Sequence, residues 1–439
     1  MSPQPHAALA NAECAPVPVW RCILSFAFST RMLALADQAV VSGTSFLTTV
    51  LIGRFTYPSQ LGIYVLAMSL LIAAMNFQHS LIGLPYTIRR NQTQDHDPVD
   101  AGRSLALAAV LGFAAALVIA VVAVVMAFAT DPRLAVVSAT LSAVLPLMLV
   151  RDFGRDFGIA RLQFGEVLVL DLTVSLIQIG ALCILARLNW MSGGAALAAT
   201  GAACAVAGIA GFCWTRGNFA FGIAGLFNTA RESWDAGKWL LANLLTLVTQ
   251  VQITYWLVAA IAGTAETGVY AACMSVAGLA NPMITGLSNP MFAKAASTYA
   301  QGGIKRLRTE ALTDALLLGA ATTAFCAVIL LFGADIMRLL FRGGDYAGND
   351  AVIVSLALWL LATAIGMPAS NALSVMDRAR ENFYYGLAGS LLSTALVLPL
   401  LVDWGVLGAA LGLLAGSAAR SATRWWSLWR ASPNGSTGR

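Results

Sequence analysis

Several ionisable and amide side chains of this sequence sit inside long apolar runs. An ionisable group in the middle of a membrane-crossing helix costs about 2.5–3.5 kcal/mol on insertion scales, so it survives where it faces protein or water. In the first apolar run, Arg31, Asp37, Gln38, Ser42, Thr44, Ser45, Thr48 and Thr49 project into an arc of roughly 160° at the helical period. The opposite side carries Val40, Phe46, Leu47, Val50 and Leu51. One face is therefore hydrophilic along most of the helix. Its carboxylate can take up a cation or a proton, and its guanidinium can hold an anion.

Weaker versions recur. Asn243, Thr246, Gln250 and Thr254 share a stripe in the seventh run, with Lys238 at its inner entrance. In the fifth run Asp171, Ser175 and Gln178 are spaced i, i+4 and i+7; in the second, Asn76, Gln78 and His79 occupy the inner half. A plainer explanation stands beside the functional one. Serine and threonine stripes also bond helices together, Asp37 could simply be tied to a neighbouring helix, and Arg31 could snorkel to the headgroups. Arg151, Arg155 and Arg161 read as orientation signals, with contact to an anionic substrate as the alternative. Gly62, Pro85, Pro282, Pro290 and Pro368 read as close-contact or kink positions.

The elements that must position these groups follow from composition. Of 439 residues, 59% are hydrophobic and 11% charged, against about 25% charged in ordinary soluble domains; the mean hydropathy is +0.76. A soluble fold cannot hide that much apolar surface, whereas a bilayer is itself an apolar solvent. Spans of about 20 residues are read near 33–54, 62–85, 104–129, 134–150, 167–186, 194–215, 239–262, 268–292, 311–332, 351–373, 383–402 and 405–424. The expectation is an all-α polytopic membrane protein of about 12 transmembrane helices. It divides into an interfacial segment 1–32, a six-helix bundle 33–216, a cytoplasmic linker 217–238, a second six-helix bundle 239–430 and a tail 431–439. Little is left outside the membrane for an enzyme. The first twenty residues, with Pro16 and Pro18, lack a signal-peptide pattern, so the first run is expected to stay and span.

Of the 26 basic residues, the outer ends and loops receive Arg54, Arg133, Arg187, Arg338 and Arg342 if the N-terminus is inside. The rest fall on the inner side, which places both termini in the cytoplasm. Arg420, Arg424, Trp425, Trp426, Trp429 and Arg430 read as an interfacial anchor closing the last span. The net charge of +5 is then orientation bias and does not point to nucleic acid. The seven cysteines form no CxxC pair, and His6, His79 and His96 are too scattered for a metal site.

An internal repeat is visible. Gly62-Ile63-Tyr64 followed by Ala67-Met68-Ser69 returns as Gly268-Val269-Tyr270 followed by Cys273-Met274-Ser275, and Leu84-Pro85 is echoed by Asn289-Pro290. The offset maps the second span onto the eighth. With six spans between them, the copies share one orientation, so the two bundles should be related by an axis along the membrane normal.

The stretch Ala36-Asp37-Gln38-Ala39-Val40-Val41-Ser42-Gly43-Thr44-Ser45-Phe46 resembles the first helix of Wzx-type polysaccharide flippases, in the superfamily that also holds MATE exporters and lipid II flippases. Leu61-Gly62-Ile63-Tyr64, Leu81-Ile82-Gly83-Leu84-Pro85-Tyr86 and Arg151-Asp152-Phe153-Gly154-Arg155 leading to Asp171 extend the resemblance. It implies two bundles forming a V that alternates its opening. It also implies a cargo: an undecaprenyl-pyrophosphate-linked oligosaccharide moved to the outer leaflet of the bacterial inner membrane, for a polysaccharide polymerase and chain-length machinery to use. No resident cofactor is implied beyond a coupling proton or sodium ion. On this resemblance Arg31 would meet the anionic head, and Asp37 would take the coupling ion or balance Arg31.

Three rivals remain. A MATE-like exporter of organic cations would share the bundles. A major-facilitator transporter would also have twelve spans, but Thr87-Ile88-Arg89-Arg90-Asn91-Gln92 lacks that family's loop signature. A membrane-embedded polymerase or glycosyltransferase would need the outer loop 333–350, with Asp335, Arg338, Arg342, Asp345 and Asp350, as its site.

Overall fold

The first six expected spans are six helices. They are α1 (Thr30–Phe55), α2 (Pro58–Gln78, continued through a π-helical turn His79–Gly83 into Leu84–Thr93), α3 (Pro98–Ala129), α4 (Pro132–Ala160), α5 (Phe164–Arg187) and α6 (Gly193–Thr215). The computed structural model describes residues 30–93, 97–129, 132–222, 225–341, 346 and 348–431. Most of the expected interfacial segment 1–32, the tail beyond 431, and Arg342 and Asp345 of the outer loop thus lie outside the described residues.

Three of the four remaining helical stretches are longer than one span and are broken by glycines at positive φ. Gly263 (φ 92) divides Leu226–Ala277, Gly303 (φ 60) divides Asn281–Leu340, and Gly405 (φ 57) divides Ala379–Arg430. A side chain is strained at such φ values, so glycine is where a hairpin can turn most tightly. The breaks define α7 (226–262), α8 (264–302, with a 3-10 turn at Gly278–Ala280), α9 (304–340), α11 (379–404) and α12 (406–430), with α10 (Asp350–Val375) between. Nine stretches among the described residues are long and apolar enough to cross a membrane. The breaks split one of them in three and another in two, which gives twelve helices. No strand occurs among the described residues. The stretch 226–238, expected as linker, forms the first turns of α7.

The outer surface is apolar in a way water would not tolerate. Val110, Phe113, Leu117, Val118 and Val121 of α3 and Leu316, Leu330 and Leu331 of α9 are exposed. Contiguous exposed surface of this kind marks contact with lipid. Interior helix contacts are close and lined by small residues.

The helices fall into two sets, α1–α6 and α7–α12, joined most extensively by α2 against α7 and α8. The repeat motif sits at this joint. A Cβ on Gly62 would come within 3.0 Å of the Gly268 nitrogen, and a Cβ on Gly268 within 3.1 Å of the Gly62 nitrogen. Equivalent residues of the two copies therefore touch each other, as they must where a two-fold axis passes between them. At the C-terminal ends of α1 and α9 Arg54 Nη1 donates to the Leu339 carbonyl at 2.6 Å, and Gly53 leaves room for the Phe341 ring. Towards the opposite end of α1, Leu35 lies against Gly286 of α8.

Candidate functional site

The α4 helix does not stop at 150. It runs to Ala160, which puts Arg151 about 14 Å from its inner end at 1.5 Å per residue. Its charges alternate in sign at helical spacing, so Arg151 and Arg155 form one stripe and Asp152 and Asp156 another. The arginine stripe faces α1 and α5. Arg155 Nη2 donates to Asp37 Oδ2 at 2.6 Å and its Nε to Asp171 Oδ2 at 2.9 Å. Arg151 Nη2 donates to Asp171 Oδ1. The reading of Arg151 and Arg155 as orientation signals is therefore corrected. Charges of opposite sign on separate helices neutralise each other inside the bundle, a pairing that a single helix's sequence does not display.

Exposure separates the members of this network. The Asp171 and Asp37 side chains retain 1% and 6% of their surface, whereas Arg155 retains 26%. Arg155 is the member that solvent reaches most. Asp37 Oδ1 is buried and accepts no hydrogen bond among the described residues.

The acidic stripe of α4 faces α2, where Asp156 Oδ1 is 2.9 Å from His79 Nδ1. The π-helical turn starts at His79, and a Cβ on Gly83 would run into the Asp156 carboxylate. Such turns insert an extra residue and often accompany functional sites. Neither the turn nor the His79–Asp156 pair carries a sequence signal beyond a histidine at membrane depth.

The hydrophilic face of α1 divides into two edges. Asp37, Thr44 and Thr48 face α5: the Thr44 and Ser175 hydroxyls are 2.7 Å apart, and Gln178 Nε2 donates to Thr48 Oγ1 at 2.8 Å. The polar stripes of the first and fifth runs thus close on each other. Gln38, Ser42, Ser45 and Thr49 lie roughly 80–140° further round. Beyond them, at about 160°, come Leu35 and Gly53, which touch the second half. This second edge therefore faces the joint between the halves. Ser45 is exposed there, and Gln38 Nε2 donates to Ser42 Oγ at 3.4 Å.

Other candidates stand apart from the network. Gln78 is buried and donates to the Leu149 carbonyl at 2.8 Å; Asn76 donates back to the Ile72 carbonyl. Lys238 pairs with Asp235 one turn away. The side chains of Arg31 and Asn243 lie outside the described ones, and with them the expected Arg31–Asp37 balance; among the described residues Asp37 pairs with Arg155.

The second half carries a counterpart. Gln250 and Thr254 stand 206 residues after Thr44 and Thr48, and Asn243 stands 206 after Asp37. Gln250 Oε1 accepts from Ser390 Oγ of α11 at 3.2 Å, as Thr44 meets Ser175 of α5. It also accepts from Arg420 Nη1 at 3.0 Å, while Arg420 Nη2 donates to Ser417 Oγ at 2.9 Å. Arg420 was read above as part of an interfacial anchor. It is buried at 6% exposure, and that reading is corrected too: the small residues Gly389 and Gly416 let α11 and α12 close around its stem. No carboxylate pairs with Arg420 among the described residues. In the first half Arg151 and Arg155 are held by aspartates; in the second Arg420 is held by neutral oxygens.

Comparison with known proteins gives the same outline. A family model described as "Polysaccharide biosynthesis protein" matches residues 54–341. That range holds the 61–64, 81–86 and 151–155 motifs but not the 36–46 stretch. No curated protein sequence matches the chain. Among solved structures, the chain is similar to an inward-facing multidrug resistance MATE family transporter of the MOP superfamily, with TM-score 0.67 at 15% identity, covering 94% of this chain and 97% of that one. It is also similar to a MOP superfamily transporter from Pyrococcus furiosus for which a binding pocket of reversed polarity is described, with TM-score 0.66 at 13% identity, covering 91% and 95%. An outward-facing MATE transporter follows at 0.64 and 12%, covering 91% and 95%. At these identities the likeness shows the fold.

Proposed function

We propose, from the premise that the chain belongs to the polysaccharide biosynthesis protein family, that it carries a lipid-linked oligosaccharide with an anionic pyrophosphate head across the bacterial inner membrane. The observation that carries this reading is Arg155, a partly exposed guanidinium held between two buried carboxylates beside the hydrophilic edge of α1. A pyrophosphate is repelled by a low-dielectric slab, and a guanidinium in a polar lining lowers that cost. The lipid tail stays in the bilayer while the head crosses between the halves. Alternating access follows from two similar bundles hinged at α2 and α8.

When an anion engages Arg155, Asp171 keeps Arg151 as a partner, whereas Asp37 gives up its ion pair with Arg155. Asp37, with one carboxylate oxygen already without a hydrogen bond, then takes up a proton or a sodium ion. Cargo and coupling ion meet in this way at one arginine. In this reading both termini are cytoplasmic, no bond is made or broken, and the outer-leaflet product passes to a polymerase and its chain-length partners.

The test is a deletion strain whose lipid-linked intermediates are extracted. Accumulated repeat units on the inner leaflet support the proposal. Normal surface polysaccharide with no accumulation, together with new sensitivity to organic cations, would favour an exporter of the MATE kind instead.

A further inference from the structure

Away from the joint between the halves, the inner foot of the first bundle has two compartments that share a wall. One is a cavity of about 610 Å3 between the ends of α2, α3 and α4 and the connection from α6 to α7. Arg89, Arg90, Arg103 and Arg161 line it, against Asp97, Asp100 and Glu232. Arg89 is held by Asp100 at 3.2 Å and by Ser233 and Ser104. Arg103 is not provided for: its Nε is buried and has no hydrogen-bond partner among the described residues. A buried guanidinium N–H without an acceptor is costly, and the same Arg103 side chain lines the cavity, where its guanidinium can turn to an anion.

The second compartment is a groove of about 450 Å3 between α4, α5 and α6. Its walls are mostly apolar, with Phe153, Leu170, Ala207 and Phe212 among them. Phe157 borders both compartments, with the Arg161 guanidinium 5.1 Å from its ring centroid and the Phe219 ring 4.7 Å away. Trp214 stands at the groove's rim, highly exposed, as tryptophans do where a membrane meets water.

We propose that this foot holds one anionic phospholipid of the surrounding leaflet, its phosphate in the arginine cavity and a hydrocarbon chain in the groove. Among the described lining residues, four cations stand with three carboxylates, a lining that suits a phosphodiester better than a cation. A soluble anion would have no use for the groove, and a neutral lipid none for the arginines. The groove is built from α4, α5 and α6, whereas the halves join through α2, α7 and α8; the occupant is accordingly a lipid of the bilayer, not the cargo. The proposal rests on the membrane-protein reading alone and survives if the cargo proves different.

The experiment delipidates the purified full-length protein in detergent and measures retention of added phosphatidylglycerol, phosphatidylcholine, undecaprenyl phosphate or inorganic phosphate by native mass spectrometry. The protein should prefer phosphatidylglycerol to phosphatidylcholine by about tenfold or more, with inorganic phosphate failing to displace it. R103A should abolish the preference. G165L should weaken retention of both lipids, because a Cβ at Gly165 meets nothing within 4 Å and the new side chain fills the groove instead of breaking a contact. Melting temperature without lipid checks the fold, and G165L serves alone if R103A does not fold. Unchanged retention in the folded variants overturns the proposal. Displacement by inorganic phosphate reduces it to an anion site and overturns the lipid. A preference for undecaprenyl phosphate over phosphatidylglycerol makes the foot a cargo dock and overturns the occupant.

Discussion

Asp171 accepts from two arginines, and its side chain is the least exposed of the four charges. Replacing one member of a buried pair strands the other and costs about 3–5 kcal/mol, whereas the intact pair adds little net stability. Asp171→Asn should therefore lower the melting temperature of the purified protein more than Asp37→Asn does, since Asp37 holds one arginine, Arg155, among the described residues. Equal melting temperatures for the two variants would show that α4 is not anchored through Asp171. The second half makes a different forecast. Gln250→Leu removes the acceptor of Arg420 Nη1 and should destabilise by about 1–3 kcal/mol. Gln250→Glu, which brings a carboxylate to the same guanidinium, should melt at or above the wild type. A lower melting point for the glutamate variant than for the leucine would contradict the contact. Asp37, Asp171 and Gln250 stand out in the sequence because polar groups at membrane depth are rare. Their partners do not, because Arg151, Arg155 and Arg420 lie at or just beyond the ends of the apolar runs read as spans, where a basic residue reads as an orientation signal.

The elements are legible to different degrees for physical reasons. Long apolar runs with tight breaks fix the twelve helices, and the turns at Gly263, Gly303 and Gly405 need little more than one residue each. The inner end of α4 is hidden because charges that neutralise across helices look like a solvated loop. The face of α1 is readable as an angle. Which of its two edges binds α5 and which borders the joint depends on neighbours that no single run specifies. The joint itself makes two forecasts. Gly62→Leu places a side chain against the Thr264 carbonyl and should abolish folded protein or transport; wild-type yield and activity would refute the close approach. Arg54→Ala removes the tie from α1 to the end of α9. It should raise labelling, from outside, of a cysteine placed at Ser45 by a membrane-impermeant thiol reagent. Unchanged labelling would mean that this tie does not hold the outer ends together.

At the scale of the whole molecule, duplication has produced two bundles with one architecture and unequal electrostatics. The repeat visible around Gly62 and Gly268 shows why the chain has two halves and where they touch. It does not reveal that the first half pairs its arginines with acids while the second leaves Arg420 on neutral oxygens. On the proposed reading, the first half exchanges an internal partner of Arg155 for an anionic cargo, while Arg420 of the second half stays on neutral oxygens. The direct measurement reconstitutes the purified protein in vesicles with a short pyrophosphate-linked oligosaccharide lipid and follows arrival of the sugar at the opposite leaflet with a lectin. Wild type should move the lipid, folded Arg155→Ala should not, and Asp37→Asn should lose dependence on an imposed ion gradient. Wild-type rates from folded Arg155→Ala would contradict the account at its centre.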